Sequence, residues 1–114
     1  MSLQINTKMS GEVVVVELVG RLTLGDETGR LRSVVADLVK KGYTKLLLNL
    51  EQLDYADSAG LGELVGVFTT VRNAGGAMKL VKVGGRALDL LQLTRLATLF
   101  EFFDSESAAL LAFG

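Results

Sequence analysis

Cysteine, histidine, tryptophan and proline are all missing from the 114 residues. Without cysteine there can be no disulfide, no thiol nucleophile and no thiolate metal site. Without histidine the usual general base near neutral pH is gone, and with it a Ser-His-Asp triad, a histidine phosphorelay and most zinc sites. Any chemistry falls to Ser, Thr, Asp, Glu, Lys, Arg and Tyr, so the composition leans toward binding or being modified and away from hydrolysis. A charge excess is missing too. The 12 basic residues face 13 acidic ones, a net charge of −1, which makes no electrostatic case for nucleic acid or an anionic membrane. No apolar run approaches the roughly 20 residues that span a bilayer. Met1-Ser2-Leu3-Gln4 lacks the charged-then-apolar layout of a signal peptide. The expectation is a cytoplasmic protein with no membrane insertion, no nucleic-acid partner, no metal and no cofactor.

What is present is globular. Hydrophobic residues make up 49% of the chain and charged residues 22%, and the length suits one domain over residues 1–114. Leu3 to Lys8 alternates Leu3, Ile5 and Thr7 with Gln4, Asn6 and Lys8, the pattern of an edge strand. Ser10-Gly11 marks a turn. The run Val13-Val14-Val15-Val16 predicts a mostly buried strand over Glu12–Leu18, with Gly20–Gly25 as a connection. From Asp26 to Lys41 the period turns helical, through Leu31, Val34, Val35, Leu38 and Val39. Asp26-Glu27 suits its N-terminal end, and Lys40-Lys41-Gly42 its C-terminal end. Leu46-Leu47-Leu48 predicts a central parallel strand within Thr44–Leu50. Glu51–Asp57 reads as a carboxylate-rich loop. Ser58–Asn73 returns to helical spacing and stops at Gly75-Gly76. A strand over Ala77–Val83, a short helix over Ala87–Leu93, a final strand over Leu99–Phe103 and a terminal helix capped by Asp104 or Ser105 complete the order. This β-β-α-β-α-β-α-β-α sequence defines an α/β class with a mainly parallel central sheet, an antiparallel N-terminal edge strand and helices packed around it. In such folds sites form at the carboxyl ends of central strands, which is where Glu51–Asp57 lies.

The segment Asp54-Tyr55-Ala56-Asp57-Ser58-Ala59-Gly60-Leu61-Gly62 is the candidate site. Ser58 falls at a helix start, where its hydroxyl can simply cap free N–H groups. Three functional readings stand beside that one. Ala56-Asp57-Ser58-Ala59-Gly60 is one residue from the hydrolase elbow G-x-S-x-G, but the chain has no histidine to serve as base. Asp54 or Asp57 follows a central strand as a phospho-aspartate acceptor would, with Asp26-Glu27 and Lys82 as loose partners, although the extra N-terminal strand departs from a receiver topology. Phosphorylation of Ser58 is the third. It would add roughly −1.5 to −2 charge at a helix N-terminus that tolerates it. With Asp57 and Asp54 nearby, that charge would repel a partner surface suited to the neutral serine.

Asp57-Ser58-Ala59-Gly60-Leu61-Gly62 resembles the D-S-[SA]-G-[LV]-G signature of STAS domains, the bacterial anti-sigma factor antagonist family. The resemblance runs over nearly the whole chain. It includes Gly20-Arg21-Leu22 at the end of the second strand, Leu47-Leu48-Asn49-Leu50 before the motif, and the turn Asn73-Ala74-Gly75-Gly76. Leu93-Thr94-Arg95-Leu96 and Leu99-Phe100-Glu101-Phe102-Phe103 extend it to the C-terminal part. The resemblance implies a STAS fold and a partner that is both anti-sigma factor and serine kinase, bound when Ser58 is unphosphorylated and released when it is phosphorylated. It further implies a metal-dependent serine/threonine phosphatase that reverses the mark, and a chain that is substrate and ligand rather than enzyme. Ser58 matches the phosphoacceptor, and Asp57 the aspartate that positions the hydroxyl or binds the partner. Two departures stand out: Gly84-Gly85-Arg86 where many relatives carry proline, and Arg95 where glycine is frequent.

Further partner contacts are expected at Ala59, Gly62, Glu63 and Gly66, which lie off the Leu61, Leu64, Phe68 stripe. Small residues there let a partner backbone approach Ser58, or equally let the helix pack closely on the sheet or the first helix. Asp26 and Thr28 are candidate contacts near the switch loop, explained as well by capping and solvation. Lys82 and Arg86 suit an anion or plain solvation. No G-x-x-x-x-G-K-[ST] run occurs, so no P-loop is expected. The alternative function is a non-switching STAS module, a stressosome-type scaffold or the cytosolic subunit of a lipid-trafficking ABC transporter, with Ser58 as a helix cap.

Overall fold

The computed structural model describes residues 3–23, 26–84, 89 and 91–113, apart from the side chains of Asp26, Glu27, Thr28 and Leu96. Strand β1 (Leu3–Ser10) turns at Gly11 into β2 (Val13–Leu22), pairing antiparallel from Leu3 opposite Gly20 to Ser10 opposite Val13. Helix α1 (Asp26–Lys40), strand β3 (Lys45–Asn49), strand β4 (Leu53–Ala56) and helix α2 (Ser58–Asn73) follow. Strands β5 (Ala77–Val81) and β6 (Phe102–Phe103) and helix α3 (Glu106–Ala112) complete the described elements. The sheet runs β1-β2-β3-β5-β6, with all pairs after the first parallel.

The valine run works because both faces of β2 are covered. Val14, Val16 and Leu18 join a large core with Leu31 and Val35 of α1 and Leu61, Leu64, Val67 and Val71 of α2. Val13 and Val15 point the other way, into a smaller cluster with Leu47, Val81 and Ala109, flanked by Phe103, Leu110 and Phe113. Helices α1 and α2 thus lie on one face of the sheet and α3 on the other. Ser105 caps α3, accepting from the Ala108 N–H at 3.2 Å.

Three expectations need correction. First, β2 does not stop at Leu18, where the apolar run placed its end, but continues into the Gly20–Gly25 connection as far as Leu22, the strand end that the resemblance at Gly20-Arg21-Leu22 implied. Second, Glu51–Asp57 is not all loop: Leu53–Ala56 forms β4, which pairs in parallel with the far end of β2. The pairing carries a one-residue irregularity, since Gly20 faces Leu53 but the next residue, Arg21, faces Tyr55, leaving Asp54 as the extra residue. Gly20 sits there with φ 106°, a backbone that side-chain-bearing residues rarely adopt. Its N–H donates to the Gln52 carbonyl at 3.1 Å. The inserted Asp54 breaks the apolar alternation by which a strand of this length shows itself. Third, only Phe102–Phe103 of the expected strand Leu99–Phe103 is strand, and Leu96–Leu99 is a 3₁₀ turn.

The expected helix Ala87–Leu93 is described only at Asp89 and residues 91–93, which are helical; its other residues, with Gly85 and Arg86, lie outside the described residues. Arg95 has φ 63° and ψ 12°. That left-handed conformation costs any residue with a Cβ and suits glycine, which accounts physically for a glycine preference at this position and leaves the arginine itself unexplained.

Candidate functional site

Strand β4 delivers the chain to α2 alongside the end of β2. The Asp57 N–H donates to the Leu22 carbonyl at 3.2 Å, continuing the pairing by one residue. Asp57 then has extended backbone (φ −98°, ψ −177°), and its Oδ1 accepts from the Gly60 N–H at 2.8 Å. The helix cap is therefore Asp57, not Ser58. A capping residue must itself stand outside the helix, and the approach from β4 places Asp57 there and Ser58 inside. Ser58 is the first helical residue and is exposed. Among the described residues nothing engages its Oγ. The first turn of α2 itself holds no acidic side chain, and the negative group at the positive end of the helix is the capping Asp57 carboxylate beside Ser58.

The glycines of α2 divide by position. Gly60 is buried, and a Cβ built there would lie 2.0 Å from the Leu22 carbonyl oxygen. Glycine at that point lets α2 rest directly on the backbone of β2 and holds Ser58 at the sheet's end. A Cβ at Gly62 or Gly66 would meet nothing within 4 Å. Both are exposed, as is Ala59. Close packing against the sheet or α1 therefore explains Gly60 but neither Gly62 nor Gly66. Thr69 and Thr70 extend the exposed side, and each hydroxyl donates back to its own helix, to the Val65 and Gly66 carbonyls at 3.0 and 3.1 Å. The result is a flat strip of small residues leading away from Ser58.

Glu63 does not belong to that strip. It is 4% exposed, and its carboxylate accepts from the Arg32 guanidinium at 2.7 Å and from the Arg32 N–H at 3.2 Å. The buried residues of α2 are Gly60, Leu61, Glu63, Leu64, Val67 and Val71, with Phe68 packed partly against the core, so the inner face is wider than the Leu61, Leu64, Phe68 stripe and takes in Glu63, turned toward α1. It is an interhelix clamp, and the expectation of a free partner contact there is withdrawn. Asp26 and Thr28 open α1, and their side chains lie outside the described residues.

Other groups frame the site. The Arg21 guanidinium lies 4.5 Å from the centroid of the Tyr55 ring, a cation–π contact joining the ends of β2 and β4. Both residues lie in segments the sequence singles out, but neither has a role there of its own; their cross-strand pairing exists only through β4. Asp54 is exposed at the irregularity. Lys82 pairs with Glu51 at 3.2 Å rather than with Asp54 or Asp57, so among the described residues the cluster a receiver needs is not assembled. Among the described residues no group of His, Cys, Asp and Glu suited to a metal ion occurs, and no helix is long and apolar enough to cross a membrane.

With this geometry in place, comparison with known proteins defines the class. A family model described as STAS domain matches residues 4–109, and the chain belongs to that family. The anti-sigma-B factor antagonist of Bacillus subtilis is 28% identical over 101 residues, covering 89% of this chain and 91% of its own. The crystal structure of an anti-sigma factor antagonist from Thermotoga maritima superposes with a TM-score of 0.88 at 25% identity, over 96% of this chain and 93% of that one. The Bacillus cell fate determinant SpoIIAA, solved in its phosphorylated form, shares the fold with a TM-score of 0.71 at 22% identity, over 95% and 96% of the two chains. The α/β sheet with one antiparallel pair is the STAS fold.

Proposed function

We propose that this STAS protein is an anti-sigma factor antagonist switched by phosphorylation of Ser58. The observation that carries the reading is the division of labour at the start of α2. Asp57 supplies the cap, so the Ser58 hydroxyl is exposed and uncommitted, beside a strip of small residues on which a partner backbone can lie. A relative named an anti-sigma-B factor antagonist and a phosphorylated protein of the same fold support it. In the unphosphorylated state the chain binds an anti-sigma factor that is also a serine kinase, freeing the sigma factor. The kinase transfers phosphate to Ser58, and a metal-dependent phosphatase removes it. Catalysis belongs to those partners; this chain is substrate and ligand, working in the cytoplasm.

The added charge of roughly −1.5 to −2 sits beside Asp57 and near exposed Asp54. The helix end accommodates it with little refolding, while a partner seated on neutral Ser58 meets a concentrated negative spot. The scaffold and transporter-subunit reading had Ser58 as the cap, and that role is taken by Asp57. A pull-down with wild type, Ser58→Ala and Ser58→Asp, each checked for folding by circular dichroism, tests the proposal. Ser58→Ala should capture an ATP-binding anti-sigma kinase and Ser58→Asp should not. Identical capture by both would overturn the switch.

A further inference from the structure

Just before Ser58 the chain changes its place along β2. Between β3 and β4 it makes a short jog, Leu50–Gln52. Three backbone bonds hold the jog: Leu50 N–H to the Val81 carbonyl at 3.0 Å, Leu53 N–H to the Leu50 carbonyl at 3.1 Å, and Gly20 N–H to the Gln52 carbonyl at 3.1 Å. The side chain of Asn49 adds a fourth, its Oδ1 accepting from the Glu51 N–H at 2.9 Å.

The other end of the same carboxamide leaves the jog. Asn49 is 4% exposed, and its Nδ2 donates to Glu106 Oε2 at 2.7 Å, in the first turn of α3. A buried amide is tolerated only when both ends are satisfied, and here they are satisfied by two different elements. The surroundings of Glu106 fit a fixed, ionised acceptor. Lys8 of β1 lies 3.3 Å away, and Asn6 and Glu17 share a small cleft with Lys8 and Glu106. The Asn49 donor is the main reason the Glu106 carboxyl is held below the usual carboxylate range; burial opposes it, and Lys8 and Lys82 add to the lowering. Lys82 in turn pairs with Glu51 of the jog at 3.2 Å.

We propose that Asn49 is a positioning residue for the Ser58 turn: by tying the jog to Glu106, it makes the docking of α3 on one face of the sheet hold the segment that carries Ser58. An event that lifts the start of α3 would then loosen the presentation of Ser58, although α3 does not touch it. That Ser58 is a phosphoacceptor rests on the function proposed above; the coupling between α3 and the turn does not.

Amide hydrogen exchange by NMR on the full, unphosphorylated chain tests it. Asn49→Asp keeps an oxygen for the Glu51 N–H but removes the donor to Glu106 and sets a carboxylate against it. The Leu53 and Asp57 amides keep their own acceptors, Leu50 and Leu22, yet should lose protection by about tenfold or more, the scale of one charge-assisted bond. Amides of Leu46–Leu48 in β3 should stay unchanged. In Asn49→Asp/Glu106→Gln the donor and acceptor are exchanged, and protection at Leu53 and Asp57 should return. Unchanged exchange in Asn49→Asp overturns the proposal. So does a loss spread evenly into β3, or a loss the second substitution does not repair, since each would reduce Asn49 to general packing. If Ser58 proves not to be phosphorylated, these exchange results stand unaltered, so the two failures are distinguishable.

Discussion

The three glycines of α2 should respond to alanine with opposite signs. Glycine inside an exposed helix costs about 0.8–1.0 kcal/mol against alanine. Gly62 and Gly66 lie within the helix with nothing near a new Cβ. Gly62→Ala and Gly66→Ala should therefore each stabilise the fold by close to that amount, raising Tm by about 4 °C. At Gly60 the same methyl would lie 2.0 Å from the Leu22 oxygen and 2.8 Å from its carbonyl carbon, both backbone atoms of a central strand. Neither can swing aside, so α2 must lift from β2. Overpacking of this kind costs about 1–3 kcal/mol, and the clash engages backbone, so Gly60→Ala should be net destabilising despite the propensity gain. Urea unfolding with a common m-value gives the three differences directly. Three shifts of one sign would refute the reasoning, because propensity alone would then explain all of them. A second readout bears on function. If the strip beyond Ser58 seats a partner, Gly62→Ala should weaken partner capture while strengthening the fold, a combination that a merely structural glycine does not produce.

Three further outcomes are expected. Asp57→Ala should cost about 1 kcal/mol through loss of the cap, whereas Ser58→Ala, at an exposed hydroxyl, should leave the denaturation midpoint nearly unchanged; equal losses would return the cap to Ser58. Arg95→Gly relieves a left-handed backbone (φ 63°) and should raise stability by roughly 0.5–1 kcal/mol in thermal unfolding, while a loss would mean the arginine side chain contributes more than its backbone costs. Because the folded state lowers the Glu106 pKa, chiefly through the Asn49 bond, its contribution is fully present above the unfolded carboxylate value and fades as pH falls through the folded one. Stability measured across that acid range should be less pH-dependent in Glu106→Gln, and an identical slope would show that Glu106 is not the group responsible.

The gap between motif and mechanism is instructive at Asp57-Ser58. Both residues are good helix caps, so local preference cannot choose between them. The choice follows from β4, a four-residue strand whose alternation is interrupted by Asp54 and whose partner, the end of β2, lies far back in the chain. Glu63 shows the same limit. Its spacing matched an outer face almost as well as an inner one, and only the docking of α1 with Arg32 settles that it is buried. Arg21 and Tyr55 have no role of their own until the pairing through β4 brings them together.

The sequence by itself determined much of the rest. The bounds of α2, Ser58 to Asn73, were legible because apolar spacing and the Gly75-Gly76 stop are local signals that any helix must satisfy. The valine and leucine runs announced strands buried on both faces, and the missing histidine left the hydrolase-elbow reading without its usual base. The tertiary structure alone decided which side chain caps α2, which glycine is held by contact and which are open, and that Asn49 spans from the jog to α3. Those are distances between residues far apart in the chain, and a local pattern records the kind of surface a segment presents, not the partner that comes to lie against it.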